Sequence, residues 1–305
     1  MTTIKQKTLS GELRFQGKGL HTGRMSTMVL KPAPADSGIV FHRVDLGPDA
    51  FVKALAGNVS STERSTTISE GEASVSTIEH LMSAFSGMGV DNALVEIDNV
   101  EVPILDGSAR YYVEAILKAG LEEQAEDRRY VTIPREIEVR DEATGSFIKA
   151  TPCDEPSIDL TVDFGSKVLG VQGARWDESA DYATQIAPCR TFVFFHEIEF
   201  LYQHNLVKGG DVDNAIVIVE RPATDEQVGR LSSLFNVPRL AVNNDGYLNN
   251  LQLRFPDECG RHKLLDIIGD LALSGGRVKA RIEAFKPGHT LNTRMAKAIL
   301  EEISR

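Results

Sequence analysis

The chain has 305 residues, with 44 acidic against 33 basic side chains, a formal charge of −11 and 42% hydrophobic residues. That composition is globular and long enough for one large or two ordinary domains. It excludes a general nucleic-acid binder, which needs a basic stripe, and no run approaches the ~18 apolar residues of a membrane span.

Cys153, Cys189 and Cys259 are scattered and form no CxxC, so neither a disulfide framework nor a thiolate zinc site is expected. The start, MTTIKQKTLSGELRF, has no apolar signal core. The expectation is a cytoplasmic protein without stable membrane insertion.

In chain order, GELRFQG, STMVLKPA, GIVFHRVD and the STTIS region read as strands. STIEHLMSAF (76–85) then opens a helix carrying Glu79 and His80. Ser76 and Glu79 have the spacing of a capping box, which would make the glutamate a helix-start device. Its other reading is a general base. NALVEID (92–98) is a strand, LDGS (105–108) a tight turn, and a helix follows. The charged stretch EEQAEDRR (122–129) reads as a linker at a domain boundary. YVTIP, IEVRD, SFIKATP and IDLTVDF form a second set of strands. Residues 190–220 read as strand, short helix, glycine turn and strand, rich in Phe and Ile. This insert is either a subdomain with its own small core or an apolar passage for a lipid-like group. Before the next helix stands SSLFNVPRLAVNNDGYLNN (232–250). The stretch from Gly260 to Gly276 is helical, with Leu264, Leu265, Ile268, Leu271 and Ala272 on an apolar face and His262, Asp266 and Asp270 on a polar stripe. VKARIEAF (278–285) is a strand, and KPGHTLN presents His289 after a glycine turn.

The two halves repeat. His80-x6-Gly87 matches His262-x6-Gly269, Gly107 matches Gly288, and Ala115-Ile116-Leu117 matches Ala298-Ile299-Leu300, at offsets of 181 to 183. Strands first and helices after predict an α+β protein of two similar β/α domains, 1–126 and 127–305, packed helix layer to helix layer. The polar stripe would then face the other domain.

Four residues apart on one helix face, His262 and Asp266 suit a nitrogen and an oxygen ligand on Zn²⁺. The pair alone is common on solvated faces, so both readings stand. If the helices face each other, His80 completes a His2Asp set, for which ferrous iron is an alternative metal. Asp270 could pair with His289 and keep it protonated as a general acid. Lys263 and Lys286 flank these groups and could hold phosphate. GKGLHTG misses GxGxxG by one residue, and neither GxxxxGK[ST] nor HExxH occurs.

GKGLHTG, STIEHLMSAFSGMGVDNALVEI, PILDGSA, RTFVFF, LVKGGDVDNAIV, RHKLLDIIGDL and KPGHTLN together resemble the UDP-3-O-acyl-N-acetylglucosamine deacetylases, in that family's order from about residue 3 to 300. The resemblance implies zinc-dependent hydrolysis of the acetamide of a UDP-linked acylated N-acetylglucosamine, the committed step of lipid A synthesis. It implies metal ligands at His80, His262 and Asp266, a base at Glu79, an acid at His289 with Asp270 as partner, and Thr191 beside the oxyanion. It implies substrate contacts at Lys263 and Phe192, with Phe164 and Lys286 on the nucleotide side, and Ile198 and Gly210 on the insert at about 192–220. The family fold is a sheet-helix-helix-sheet sandwich, each domain with a small insert. Some members carry a cysteine shortly before the first histidine that binds an inhibitory second metal; here the stretch is TERSTTIS. The longer 232–250 segment resembles the subgroup fused to a 3-hydroxyacyl-[acyl-carrier-protein] dehydratase, a module that would start beyond residue 305. The competing class is a non-catalytic lipid or nucleotide-sugar binder on the same fold.

Overall fold

The computed structural model describes residues 4–203, 208–211, 213–221, 223–234, 237 and 240–303. Part of the glycine turn read between 190 and 220, and four positions within 232–250, lie outside the described residues.

The first half runs β1 (Lys5–Leu9), β2 (Leu13–Lys18), β3 (Met25–Pro32), β4 (Ile39–Arg43) and β5 (Phe51–Lys53). A small meander follows, β6 (Val59–Ser61), β7 (Thr67–Glu70) and β8 (Ala73–Val75). Then come α1 (Glu79–Met88), β9 (Ala93–Ile97), α2 (Arg110–Ala119) and β10 (Leu121–Asp127). The second half runs β11 (Tyr130–Thr132), β12 (Ile137–Asp141), β13 (Ser146–Pro152), β14 (Ser157–Asp163), β15 (Val171–Asp177) and the short α3 (Tyr182–Gln185). Its insert holds β16 (Phe192–Phe194), α4 (Phe195–Gln203), β17 (Ile216–Ile218) and α5 (Asp225–Leu234). It closes with α6 (Glu258–Leu271), β18 (Arg277–Phe285) and α7 (His289–Ile303).

The repeat is visible in the topology. One sheet has the order β2-β3-β9-β4-β5 and the other β12-β13-β18-β14-β15. In each, the central strand is antiparallel to one neighbour and parallel to the other. Leu105 and Lys286, matched by the repeat, both sit at positive φ, 53° and 50°. Side chains there cost about 1–2 kcal/mol, so the shared strain marks the same turn built twice.

Alternation along β3 and β13 buries one side chain in two, and the apolar faces of both sheets close on the helices. Leu81 and Phe85 of α1, Leu264, Ile267 and Ile268 of α6, and Met295 and Ile299 of α7 belong to one continuous core. The order is sheet, helices, helices, sheet, as expected. No helix among the described residues is long and apolar enough to cross a membrane.

Two expectations need correction. The charged stretch after residue 121 is not a loose linker but β10, paired antiparallel with β1. Its glutamates lie on an exposed ribbon, which carries charge as readily as a loop does. The capping box is also absent: α1 starts at Glu79 after Ile78, and Ser76 donates to the carbonyl of Val100 instead. Thr77, at φ 58°, turns the chain before a capping geometry can form.

Helices α1 and α6 cross closely because Gly269 has no side chain. A Cβ there would lie 2.0 Å from the carbonyl oxygen of Glu79. Gly269→Ala is expected to lower stability by ~1–3 kcal/mol, the usual cost of overpacking. Urea unfolding checks this, and an unchanged midpoint would mean the helices can part freely.

Candidate metal centre

The close crossing of α1 and α6 brings two histidines from opposite halves together. The rings of His80 and His262 lie 5.0 Å apart at 86°. Asp266, one turn along α6, places Oδ1 3.4 Å from His262 Nε2 and 3.7 Å from His80 Nε2. One ligand atom from each residue falls within 4.8 Å of the others, and all three residues are buried.

The charge states suit a cation. Burial, then the charge of His262, pushes His80 down to about 3, and burial likewise lowers His262. Both are neutral near pH 7 and keep a nitrogen lone pair. Burial alone would raise Asp266, but His262, Lys263, His289 and His80 together hold it well below the usual carboxylate range. Two neutral imidazoles and one carboxylate are the states that metal ligands require.

The fit has an independent sign. Asp266 Oδ1 is buried without a hydrogen-bond partner, 3.4 Å from His262 Nε2 and 3.7 Å from His80 Nε2. Buried acceptors are rarely left so. A divalent cation there would satisfy the orphaned oxygen and both nitrogens. His262 Nδ1 lies 3.1 Å from the carbonyl of Cys189, which fixes the tautomer and leaves Nε2 for the site.

Around this set stand the titratable side chains of Glu79, Asp270 and His289. Glu79 is 3% exposed and its Oε1 is 4.0 Å from His289 Nε2. Burial raises Glu79 to about 7; Asp270 and Asp266 add to this, while His289 and the amide of Thr66 oppose it. His289 opens α7, with Nδ1 2.9 Å from Asp270 Oδ2 and Nε2 3.9 Å from Asp266 Oδ2. Burial would lower this imidazole, but Asp270, Glu79 and Asp266 outweigh it and raise the pKa to about 9.

The sequence assigns no role to Thr66 and Asn292, yet both hold the site. The buried Thr66 donates its amide to Glu79 at 3.0 Å and its hydroxyl to Asp270 at 2.6 Å. Asn292 donates to Asp270 Oδ2 at 2.9 Å. A signal for Asn292 existed, since it lies three residues past His289 on one helix. Thr66 had none, because its partner Asp270 is 204 residues away.

The substrate candidates fall into two groups. Phe192 reaches the centre: its ring is 6.3 Å from that of His262 and 5.6 Å from Lys263 Nζ. Lys263 is ion-paired with Asp266 at 2.8 Å. Phe164, 44% exposed, meets Phe192 edge-on at 5.4 Å. Lys286 pairs with Asp163 at 3.3 Å. Thr191 follows Arg190, which Glu258 grips at 2.8 Å in a buried ion pair. The amide of Thr191 donates to Gly107 at 2.8 Å. Gly210 is partly exposed on the insert loop. Ile198 is turned inward with Phe195, Val217 and Leu231, so its side chain fills the insert's own small core.

Comparison with known proteins adds to this geometry. A family model described as "LpxC: UDP-3-O-acyl N-acetylglycosamine deacetylase" matches residues 6–235 and 232–301. The chain is 46% identical over 301 residues to the bifunctional enzyme LpxC/FabZ of Porphyromonas gingivalis, covering 99% of this chain and 65% of that protein. It is 43% identical over 300 residues to the protein of the same name from Bacteroides thetaiotaomicron, covering 98% and 65%. With that of Chlorobaculum tepidum it shares 39% over 305 residues, covering 99% and 65%. The chain thus spans 65% of the length of each of these relatives.

Proposed function

The chain belongs to the UDP-3-O-acyl N-acetylglycosamine deacetylase family, and on that premise we propose that it is a metal-dependent amidohydrolase. Its substrate in this reading is UDP-3-O-(3-hydroxyacyl)-N-acetylglucosamine, its product acetate, and its place the committed step of lipid A synthesis in the cytoplasm. The observation that carries the reading is the buried His80–His262–Asp266 set, with its orphaned carboxylate oxygen, facing Glu79 and His289.

His80, His262 and Asp266 hold the metal, zinc first and ferrous iron as the alternative. When bound, the cation supplies Lewis acidity to the amide being cleaved. Glu79 accepts the proton of the attacking water at a carboxylate oxygen. Oxygen bonds to the acetyl carbon, the C–N bond breaks, and His289 Nε2 delivers a proton to the departing glucosamine nitrogen. Asp270 holds Nδ1 and keeps that imidazole charged. Thr191 steadies the developing oxyanion. Phe192 packs on the glucosamine, and Lys263 contacts the sugar nucleotide. Phe164 and Lys286 lie on the nucleotide side, and Gly210 and Ile198 belong to the insert. Residues 1–126 and 127–305 act as the two domains. The relatives' bifunctional name supports a pairing with a 3-hydroxyacyl-[acyl-carrier-protein] dehydratase.

Acetate release from the UDP-linked substrate by the purified protein tests the reading, and a protein that binds it without turnover is a binder instead. The insert is tested in the same assay. If it encloses the acyl chain, shortening that chain weakens kcat/KM by ~0.8 kcal/mol per CH₂ withdrawn from apolar contact. Equal rates on acylated and non-acylated substrates would leave the insert as a small core only.

The acid gives a pH signature. Because its pKa is raised to about 9, His289 stays protonated where a free imidazole would not. Activity therefore falls as pH rises through the pKa of His289, which a bound cation nearby sets below its metal-free position of about 9. Asp270→Asn removes the leading charge that favours imidazolium, so the falling limb moves to lower pH with metal content unchanged. A limb that does not move, or a lost metal, would show that Asp270 serves another group.

A further inference from the structure

Glu101 is fully buried and lies outside the metal centre, yet its carboxylate is crowded with donors. It accepts from the amides of His21 and Thr22 at 2.9 and 2.8 Å, and from the hydroxyls of Thr22 and Thr77 at 2.7 and 2.9 Å. Four donors fill the four lone-pair sites that a carboxylate offers. No Lys or Arg pairs with it among the described residues, so these bonds alone offset its burial.

The partners lead in two directions. Thr77 is the strained residue at φ 58° that stands two places before Glu79 and three before His80. His21 and Thr22 belong to the loop 19–23, whose carbonyls at Leu20 and His21 accept from the amides of Gly209 and Lys208 of the insert, at 3.0 and 3.3 Å. The contact is close, since a Cβ on Gly209 would lie 1.9 Å from the carbonyl oxygen of Gly19. One carboxylate therefore joins the insert loop to the start of the helix that carries the base and the first histidine.

We propose that Glu101 is a positioning residue, which sets Glu79 and His80 against the insert by holding the 19–23 loop and Thr77 in one fixed relation. The proposal rests on the deacetylase reading for its kinetic meaning but not for its geometry. A glutamine at this position has one acceptor oxygen and two donor hydrogens, so about half of the four bonds must break. Displacements on the order of 1 Å at reacting groups are felt mainly in kcat.

The test uses Glu101→Gln, Gly209→Ala, their double variant, and Thr77→Ser, which keeps the hydroxyl. Kinetics of acetate release and hydrogen exchange at residues 19–23 and 77–80 are measured for each. Glu101→Gln should lower kcat on the order of tenfold, with KM and metal content nearly unchanged and faster exchange in both segments. Thr77→Ser should behave as wild type. Gly209→Ala should show the same kind of loss, and the double variant should lose little more than either single one, because both break one chain of contacts. Unchanged kcat despite faster exchange, or losses that multiply, would overturn the proposal. If the wild type releases no acetate, the deacetylase reading is what fails. Exchange then decides: faster exchange at 77–80 in Glu101→Gln supports the link, and unchanged exchange there overturns it.

Discussion

Removing the divalent metal by chelation is expected to reduce acetate release by about 10³-fold or more, since Lewis-acid stabilisation is worth several kcal/mol and each 1.36 kcal/mol is tenfold. Re-addition of Zn²⁺ should restore it, and loading with Fe²⁺ under anaerobic conditions would establish which metal serves better. The cleanest variant is His80→Ala. His262 is also tied to the Cys189 carbonyl at 3.1 Å, and Asp266 also holds Lys263 at 2.8 Å. Losing Asp266 would leave the partly buried Lys263 ammonium unpaired, at a cost that has nothing to do with the metal. His80 has no such second partner among the described residues, and its nitrogen points at the Asp266 oxygen that lacks one. Metal analysis should find His80→Ala well below one ion per chain at limiting metal. A variant that keeps stoichiometric tight metal and normal turnover would exclude this set as the site.

Glu79→Gln should keep the metal and lose on the order of 10²–10⁴ in turnover, the usual worth of a positioned base. Burial raises this carboxyl to about 7, with Asp270 and Asp266 adding to the shift. A base is most useful when its pKa lies near the working pH. Glutamine can still accept the Thr66 amide through its oxygen, so the helix start survives and folding is a weak alternative explanation. The rising limb of the pH profile belongs to this group: activity falls as pH drops through the pKa and the carboxyl becomes protonated. A bound cation nearby favours the ionised form and moves that limb below its metal-free position. Turnover near wild type in Glu79→Gln would leave Glu79 as no more than the residue that anchors α1 to Thr66. The two variants separate cleanly, because one should lose metal and the other should not.

Much of this was legible in the sequence, because helix periodicity is a local property. The spacing of His262, Asp266 and Asp270 by itself puts three polar groups on one stripe. The repeat did more, since it matched His80 to His262 and implied that two polar stripes meet across a helix interface. Gly269, which the repeat matches to Gly87, proves to be where the backbones of α1 and α6 touch, whereas Gly87 lies against the Tyr182 ring. Strand alternation marked both sheets for the same reason: a period of two is set by the chain itself.

Tertiary structure alone decided the rest. Whether Ser76 caps α1 depends on the path of the preceding chain, and the turn at Thr77 leaves the Ser76 hydroxyl donating to the carbonyl of Val100 instead. Charge composition could not tell β10 from a linker, because an exposed ribbon and a loop are equally tolerant of glutamates. The support of the site comes from groups with no sequence signature. The Cys189 carbonyl orients His262 from 73 residues away, and Thr66 bridges Glu79 and Asp270. Ile198 could equally have lined a passage or filled a core, and the packing of α4 turned it inward. Local spacing determines which side chains share a face. Which backbone carbonyl, hydroxyl or distant carboxylate meets that face depends on how the loops close, and loop closure is governed by the packed fold.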